Sequence, residues 1–329
     1  MATRTWYTTL DEMYSLTWQA ALPGIENLWQ KSTVLFYLMD KNKRMETLDG
    51  GLFISESFEY KKNPTTQFIG RGGTVILQGA DNVTGGKWEW KTHTGHIVVY
   101  NADSIRNRGR SAIKIRVKHD TENLRNTIID EINETFITGD GVGDTPDGFS
   151  NIISTTPTTG TVGGINRADM TWWRNQHLDL DGLNISSYLI PRMRRMWSLT
   201  SQWGKGKERF CDMIVTDDEV IERYEEEAFE RATIRVTDKG IVDLGYGDMA
   251  FKGAPLIAEP VMGELADHRM YFVNSTALRL YKNSAQWISM LPSEAIANQP
   301  GDRVNHALSS YNLVTSNPQR LGVIDNISV

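Results

Sequence analysis

Residues 160 to 176, GTVGGINRADMTWWRNQ, hold the side chains most able to do chemistry. Trp172 and Trp173 are adjacent, and Arg174 and Asn175 follow them. Indoles beside polar groups can stack a sugar or a base, and they can equally fill a gap in a packed interior. Glycoside hydrolysis would also need two carboxylates at one site. Asp179 and Asp181 are close in sequence, but nothing in their spacing places them together. If Asp169 or Thr171 caps a short helix beginning at the tryptophans, the two rings point about 100° apart. They then share no stacking surface. One ring faces the core, and the other faces a neighbouring subunit or a hinge.

The remaining chemical candidates are thin. GDGVGDTPDG offers Asp140, Asp144 and Asp147, but it lacks the ligand spacing and distal glutamate of a calcium loop, so it reads as a turn. His93 and His96 sit three residues apart in strand-like sequence, which suits a turn better than a metal site. WGKGKERF is too short for a phosphate loop. Cys211 heads an apolar strand and reads as a buried, inert thiol. The glutamate-rich ERYEEEAFER reads as a solvated helix face. No nucleophile elbow, zincin or P-loop motif occurs. The expectation is therefore a chain that is not an enzyme, with no cofactor and no metal.

Composition points the same way. The chain has 329 residues, 40% hydrophobic and 23% charged, the profile of a soluble globular protein of about two domains. A net charge of −6 argues against tight, sequence-independent grip on nucleic acid, which needs cationic groups against phosphates. One cysteine allows no internal disulfide. The beginning, MATRTWYTTLDEMYS, lacks an apolar leader, and no apolar run is long enough for a membrane span. Ten tryptophans are more than one core needs, so some are expected at interfaces.

These side chains need elements to position them. Leu10, Met13, Tyr14, Thr17, Trp18 and Ala21 fall at helical spacing, with a stop at Pro23-Gly24. Residues 1–45 therefore form an N-terminal arm whose apolar stripe must be covered. GLFISESFEY and KWEWKTHTGHIVVY alternate apolar and polar residues, and TVILQG is strand-like. Residues 46–100 thus predict an extended β-ribbon, marginal unless something covers it. Ile113, Val117, Leu124, Ile128, Ile132 and Phe136 form one stripe, predicting a helix over 111–138, roughly 40 Å long at 1.5 Å per residue. Residues 139–180 read as loop. From 185 to 290 helices and strands alternate, with a helix beginning near Pro191 and a strand interrupted at Gly253. The last 25 residues or so read as a closing strand.

The order of these parts resembles the major capsid proteins of tailed bacteriophages, the Hong Kong 97-like family. The resemblance rests on a helix ending in ETFITGDG, on GDGVGDTPDGF, on Gly253, Pro255, Leu256 and Ile257, and on Asn317, Pro318, Gly322 and Val323. It covers about residues 1 to 325, and no single motif decides it. It implies an α+β capsid fold: arm 1–45, extended loop (E-loop) 46–100, peripheral domain 101–184 with 291–329 around a spine helix 111–138, and axial domain 185–290. It also implies a homo-oligomer of pentamers and hexamers in an icosahedral shell around double-stranded DNA. Separate scaffolding, portal and decoration proteins would be its partners, without membrane contact, in a virion made in host cytoplasm. Lys61, Lys62 and Lys87 give no basis for a self-crosslink. An encapsulin-like shell around cargo enzymes is the alternative. Trp6, Trp18, Trp29, Phe53, Phe58, Trp88, Trp90, Trp172 and Trp173 are the expected intersubunit contacts.

Overall fold

A computed structural model describes residues 33–75, 77, 79–101, 110–180, 185–204, 206–231, 250–265, 268–299 and 301–327. Side chains at 110–118, 185–187, 207 and 227–231 lie outside that description, as does nearly all of the expected arm, with Trp6, Trp18 and Trp29. The helices are α1 (Val34–Lys41), α2 (Arg110–Thr138), α3 (Phe149–Ile152), α4 (Ile185–Thr200), α5 (Asp218–Arg231) and α6 (Pro260–Glu264). The strands β1 to β4 are Met45–Leu48, Ile54–Glu59, Val83–Trp88 and Lys91–Val99. Next come β5 (Thr161–Val162), β6 (Ile165–Asn166), β7 (Gln176–Asp179), β8 (Met213–Thr216), β9 (Ala250–Phe251) and β10 (Ala254–Ala258). The last are β11 (Met270–Val273), β12 (Leu278–Asn283), β13 (Ser289–Met290), β14 (Glu294–Ala295), β15 (Arg303–Thr315) and β16 (Gly322–Asp325).

Two compact units emerge. One holds Thr92–Ile132 and Ala285–Ser310; the other holds Ser32–Lys91, Asn133–Ser284 and Tyr311–Val329. In the first, β4, β13 and β14 all pair with the front of β15. Helix α2 lies over them: Leu124 fills the space above Gly95, and His93 Nε2 meets a Glu131 carboxylate oxygen at 2.5 Å. The stripe expected on this helix is borne out at Ile128 and Ile132, both fully buried.

The second unit is built on a six-stranded sheet of order β7-β16-β11-β8-β10-β9. Its central strands MIVT and MYFV are buried along their whole length, so they read as apolar runs rather than alternation. Leu189, Met193 and Met196 of α4 and Val220 and Tyr224 of α5 close a core against Ile214, Phe272 and Ile324. Beside it, β1 runs parallel to β12, which pairs antiparallel with the end of β15. Helix α1 is tied in by Asn133, which accepts from Phe36 N at 3.1 Å and donates to Glu259 Oε1 at 2.7 Å.

Several expectations need correction. The paired ribbon is only β2 with β3; TVILQG forms no strand among its described residues. Strand β4 leaves the ribbon for the 13-residue β15, and β1 belongs to β12, whose Leu278, Leu280 and Tyr281 are buried, because pairing follows the partner that lies alongside. Helix α4 starts six residues before Pro191 and keeps that proline inside, where it removes one helical hydrogen bond. The interruption at Gly253 is a hairpin: Lys252 and Gly253 both have positive φ, the mark of a two-residue turn matched to strand twist. The closing strand is two strands, β15 and β16, broken by the turn at Asn317-Pro318.

Candidate assembly surface

The opening stretch anchors the root of the ribbon. Hairpin β5–β6 turns through Gly163 and Gly164, with φ of 58° and 75°. A Cβ at Gly163 would lie 2.4 Å from the Trp88 ring, so only glycine lets that indole rest on the turn. Gly163 O accepts from Lys87 N at 2.9 Å. Below it, Trp173 begins no long helix; Thr171–Trp173 is a single tight turn. Its Nε1 donates to Val162 O at 3.0 Å, and its ring lies 4.8 Å from Phe58. Phe58 meets Trp88 edge-on at 6.3 Å, and Trp172 meets Tyr60 at 5.4 Å. Aromatic side chains from ribbon and loop thus interleave, each pair adding about 0.5–1.5 kcal/mol beyond its buried area.

A polar set fixes this loop from beneath. Arg167 is 1% exposed, and its Nη2 donates to Asn151 O and Ile152 O. Burial lowers its pKa to about 10, opposed by the charge of Asp147, so it stays cationic at neutral pH. Asp147 accepts from Asn151 and Asn312 side chains, and burial raises its carboxyl above the ordinary 3.8 despite those bonds. Arg174 reaches back to Arg167 O and Ala168 O, both at 2.7 Å. Also on β2, Glu56 accepts from Arg279 at 3.0 Å and from Tyr281 Oη, and Tyr281 is pushed up to about 12 by burial and by that carboxylate.

The expected contact residues therefore separate. Phe58, Trp88 and Trp173 are buried inside their own chain. Trp173 is the indole that stays inside; Trp172 is half-buried. Trp90 is half-buried with its Nε1 on Gly51 O, and Phe53 is 44% exposed. Sequence alone missed a larger apolar surface nearby: Leu52, Phe68 and Leu77 are almost fully exposed. Their signal was present in GLFIS and TVILQG, read as strand-like, and in TTQFIG, which lies in a stretch rich in turn formers.

Other candidates resolve differently. Asp140 Oδ1 accepts from Val142 N and Asp147 is consumed by asparagines, so GDGVGDTPDG is a turn with capped amides. The His96 ring lies 6.0 Å from His306 and is tilted 52° to it. Asp179 accepts from Asn326, and Asp181 lies outside the described residues. Burial raises the Cys211 thiol far above its usual range, and its sulfur bonds Met213 O and Val273 O. An open cavity of about 690 Å³ lies beside Trp172, walled by Tyr60, Trp203, Arg174 and His177. Asp217, Glu219 and His268 converge within 4.8 Å at the start of α5, with His268 Nδ1 2.8 Å from Asp217 Oδ2. That group joins Asp217 to His268, 51 residues on, and no sequence spacing announces it. Asp217 is already satisfied by the imidazole and by Glu219 N, the geometry of a helix cap.

No protein-family model and no curated protein sequence matches the chain. Solved structures do. The capsid asymmetric unit of cyanophage A-1(L) aligns over 94% of this chain and 96% of its own, with 16% identity and a TM-score of 0.69. The chain has the Hong Kong 97-like capsid fold. A capsid chain of the native GTA particle aligns over 94% and 96%, at 11% identity and a TM-score of 0.58. The SrpI encapsulin of Synechococcus elongatus PCC 7942 aligns over 100% and 97%, at 11% identity and a TM-score of 0.54. At these identities the likeness establishes the capsid fold, not a shared partner or cargo.

Proposed function

We propose that this chain is a structural phage capsid subunit. Copies assemble into pentamers and hexamers of an icosahedral head that encloses double-stranded DNA without binding it in a sequence-specific way. The observation that carries this reading is end-to-end agreement with a capsid fold, joined to a ribbon that projects unpaired apolar side chains. Leu52, Phe53, Phe68 and Leu77 are exposed on a single chain. A monomer gains nothing from such surface, whereas a shell covers it with the next copy. Exposed edges of Trp90 and Trp172 complete the set of expected contacts. The role is structural rather than enzymatic.

Expression of the chain, followed by electron microscopy of the purified protein, tests this. Closed shells are the expected result; a monodisperse monomer at high concentration would overturn it. The encapsulin reading keeps the shell and changes the contents. Nuclease-protected DNA in particles from infected cells supports the phage head, and a captured enzyme without DNA supports the compartment.

A further inference from the structure

Helices α4 and α5 pack side by side on the six-stranded sheet and carry opposite charge on their outer faces. On α4, Arg194 and Arg195 are exposed and Arg192 is half-buried, while Leu189, Met193 and Met196 face the core. On α5, Asp218, Glu219, Glu222, Glu225 and Glu226 are exposed, while Val220 and Tyr224 face inward. Arg223 pairs with Glu226 at 3.0 Å. Among the described residues, no ion pair joins the arginines of α4 to the carboxylates of α5.

That absence has a geometric meaning. Packed helices lie about 8–10 Å apart, a gap that arginine and glutamate span easily when they face the shared seam. The two charged faces therefore look away from one another. Local helix physics does not account for them either. Asp218 and Glu219 favour the N-terminal end of α5, but Glu222 and Glu225 lie beyond the first turn. The arginines sit in the middle of α4 rather than its last turn. Like charges gathered on one face repel, and on α5 the Arg223–Glu226 pair offsets them only in part.

We infer that these faces form a head-to-tail contact between copies, with the arginine face of α4 on one subunit meeting the acidic face of α5 on the next. This rests on the shell reading above. Two different, complementary patches on one chain make a heterologous interface, and such interfaces close into rings when the rotation allows. Charge complementarity also fixes register and speeds encounter.

Two double reversals test it: Arg194→Glu with Arg195→Glu, and Glu222→Arg with Glu225→Arg. Each variant alone should keep the wild-type circular dichroism and melting and lose rings and shells. Mixed in equal amounts, every contact between unlike copies joins either two reversed faces or two unreversed ones, so they should alternate. Alternation closes only even rings. The mixture should therefore restore six-membered rings but no five-membered ones, giving open sheets or tubes instead of closed heads. Glutamine at the same positions is the backup should a reversal unfold; it should raise the concentration at which assembly begins. Folded reversals that build normal shells would overturn the contact, as would a folded mixture that stays unassembled or an unchanged onset for the glutamine variants. Failure of the wild type to form shells in the same buffer would instead refute the shell reading itself.

Discussion

Trp173 lies 4.8 Å from Phe58 with the two rings inclined at 40°, although 115 positions separate them, counted as 173 minus 58. That contact ties the loop after the spine helix to the root of the ribbon, while the neighbouring indole at Trp172 keeps an exposed edge. Adjacent residues thus serve different purposes, and their substitutions should separate.

Trp173→Ala should cost about 3–5 kcal/mol, the range for a large aromatic removed from a closed interior. Trp172→Ala should cost about 1 kcal/mol, the usual size of a half-buried change. Chemical denaturation of both variants checks this, and equal losses would contradict it.

Gly163→Ala should destabilise by about 1–3 kcal/mol, because the new methyl meets the Trp88 ring and the backbone holds a positive φ. Near-ultraviolet circular dichroism should also report a displaced indole.

Removing residues 61–81 and joining Tyr60 to Asn82 through Asn-Gly should leave a folded subunit that builds no shells. Tyr60 N already donates to Asn82 O at 3.1 Å, so the gap is a hairpin's width. Normal shells from this variant would remove the ribbon from assembly. A wider deletion through residue 95 would take Phe58 and Trp88 out of the core and confuse folding with assembly.

Asp147 gives a pH signature. Its folded pKa is raised, so the folded state holds the proton more tightly than the unfolded chain. Its contribution is most favourable below the ordinary value of 3.8, declines as pH rises through the raised folded value, and is level above it. Asp147→Asn stays neutral throughout and should lack that step. Denaturation of both proteins between about pH 4 and pH 7 measures the difference.

Ile128 is 1% exposed, and Ile128→Asp places an unpaired carboxylate in the interior. Soluble expression should be lost; an unchanged melting curve would show that the stripe is not a core.

Local pattern was enough for the long helix and for α5, since each depends on spacing within a few turns. The helix predicted over 111–138 is observed over Arg110–Thr138, because an apolar stripe without glycine or proline leaves few alternatives. Strand-like composition was a poorer guide. TVILQG and the residues after Trp88 have similar β-propensity, yet among the described residues only the latter found a partner, and strand pairing is decided by what lies alongside. Pro191 inside α4 was likewise settled by packing, with Leu189 and Met193 buried on either side of it.

The sequence by itself determined the long helix over 111–138 and the helix at α5, that net charge disfavours a nucleic-acid grip, and that tryptophan is in surplus; it read 139–180 as loop, where α3, β5, β6 and β7 lie. Tertiary structure alone decided which tryptophans are spent inside. It placed Trp173 against Phe58 and Trp88 on Gly163, leaving Trp172, Phe53 and the ribbon's Phe68 and Leu77 facing outward. Burial is a property of approach between distant segments, and no local spacing encodes it. Two indoles adjacent in sequence differ because only one of them meets a ring from a ribbon more than a hundred positions earlier, the 173 minus 58 separation noted above.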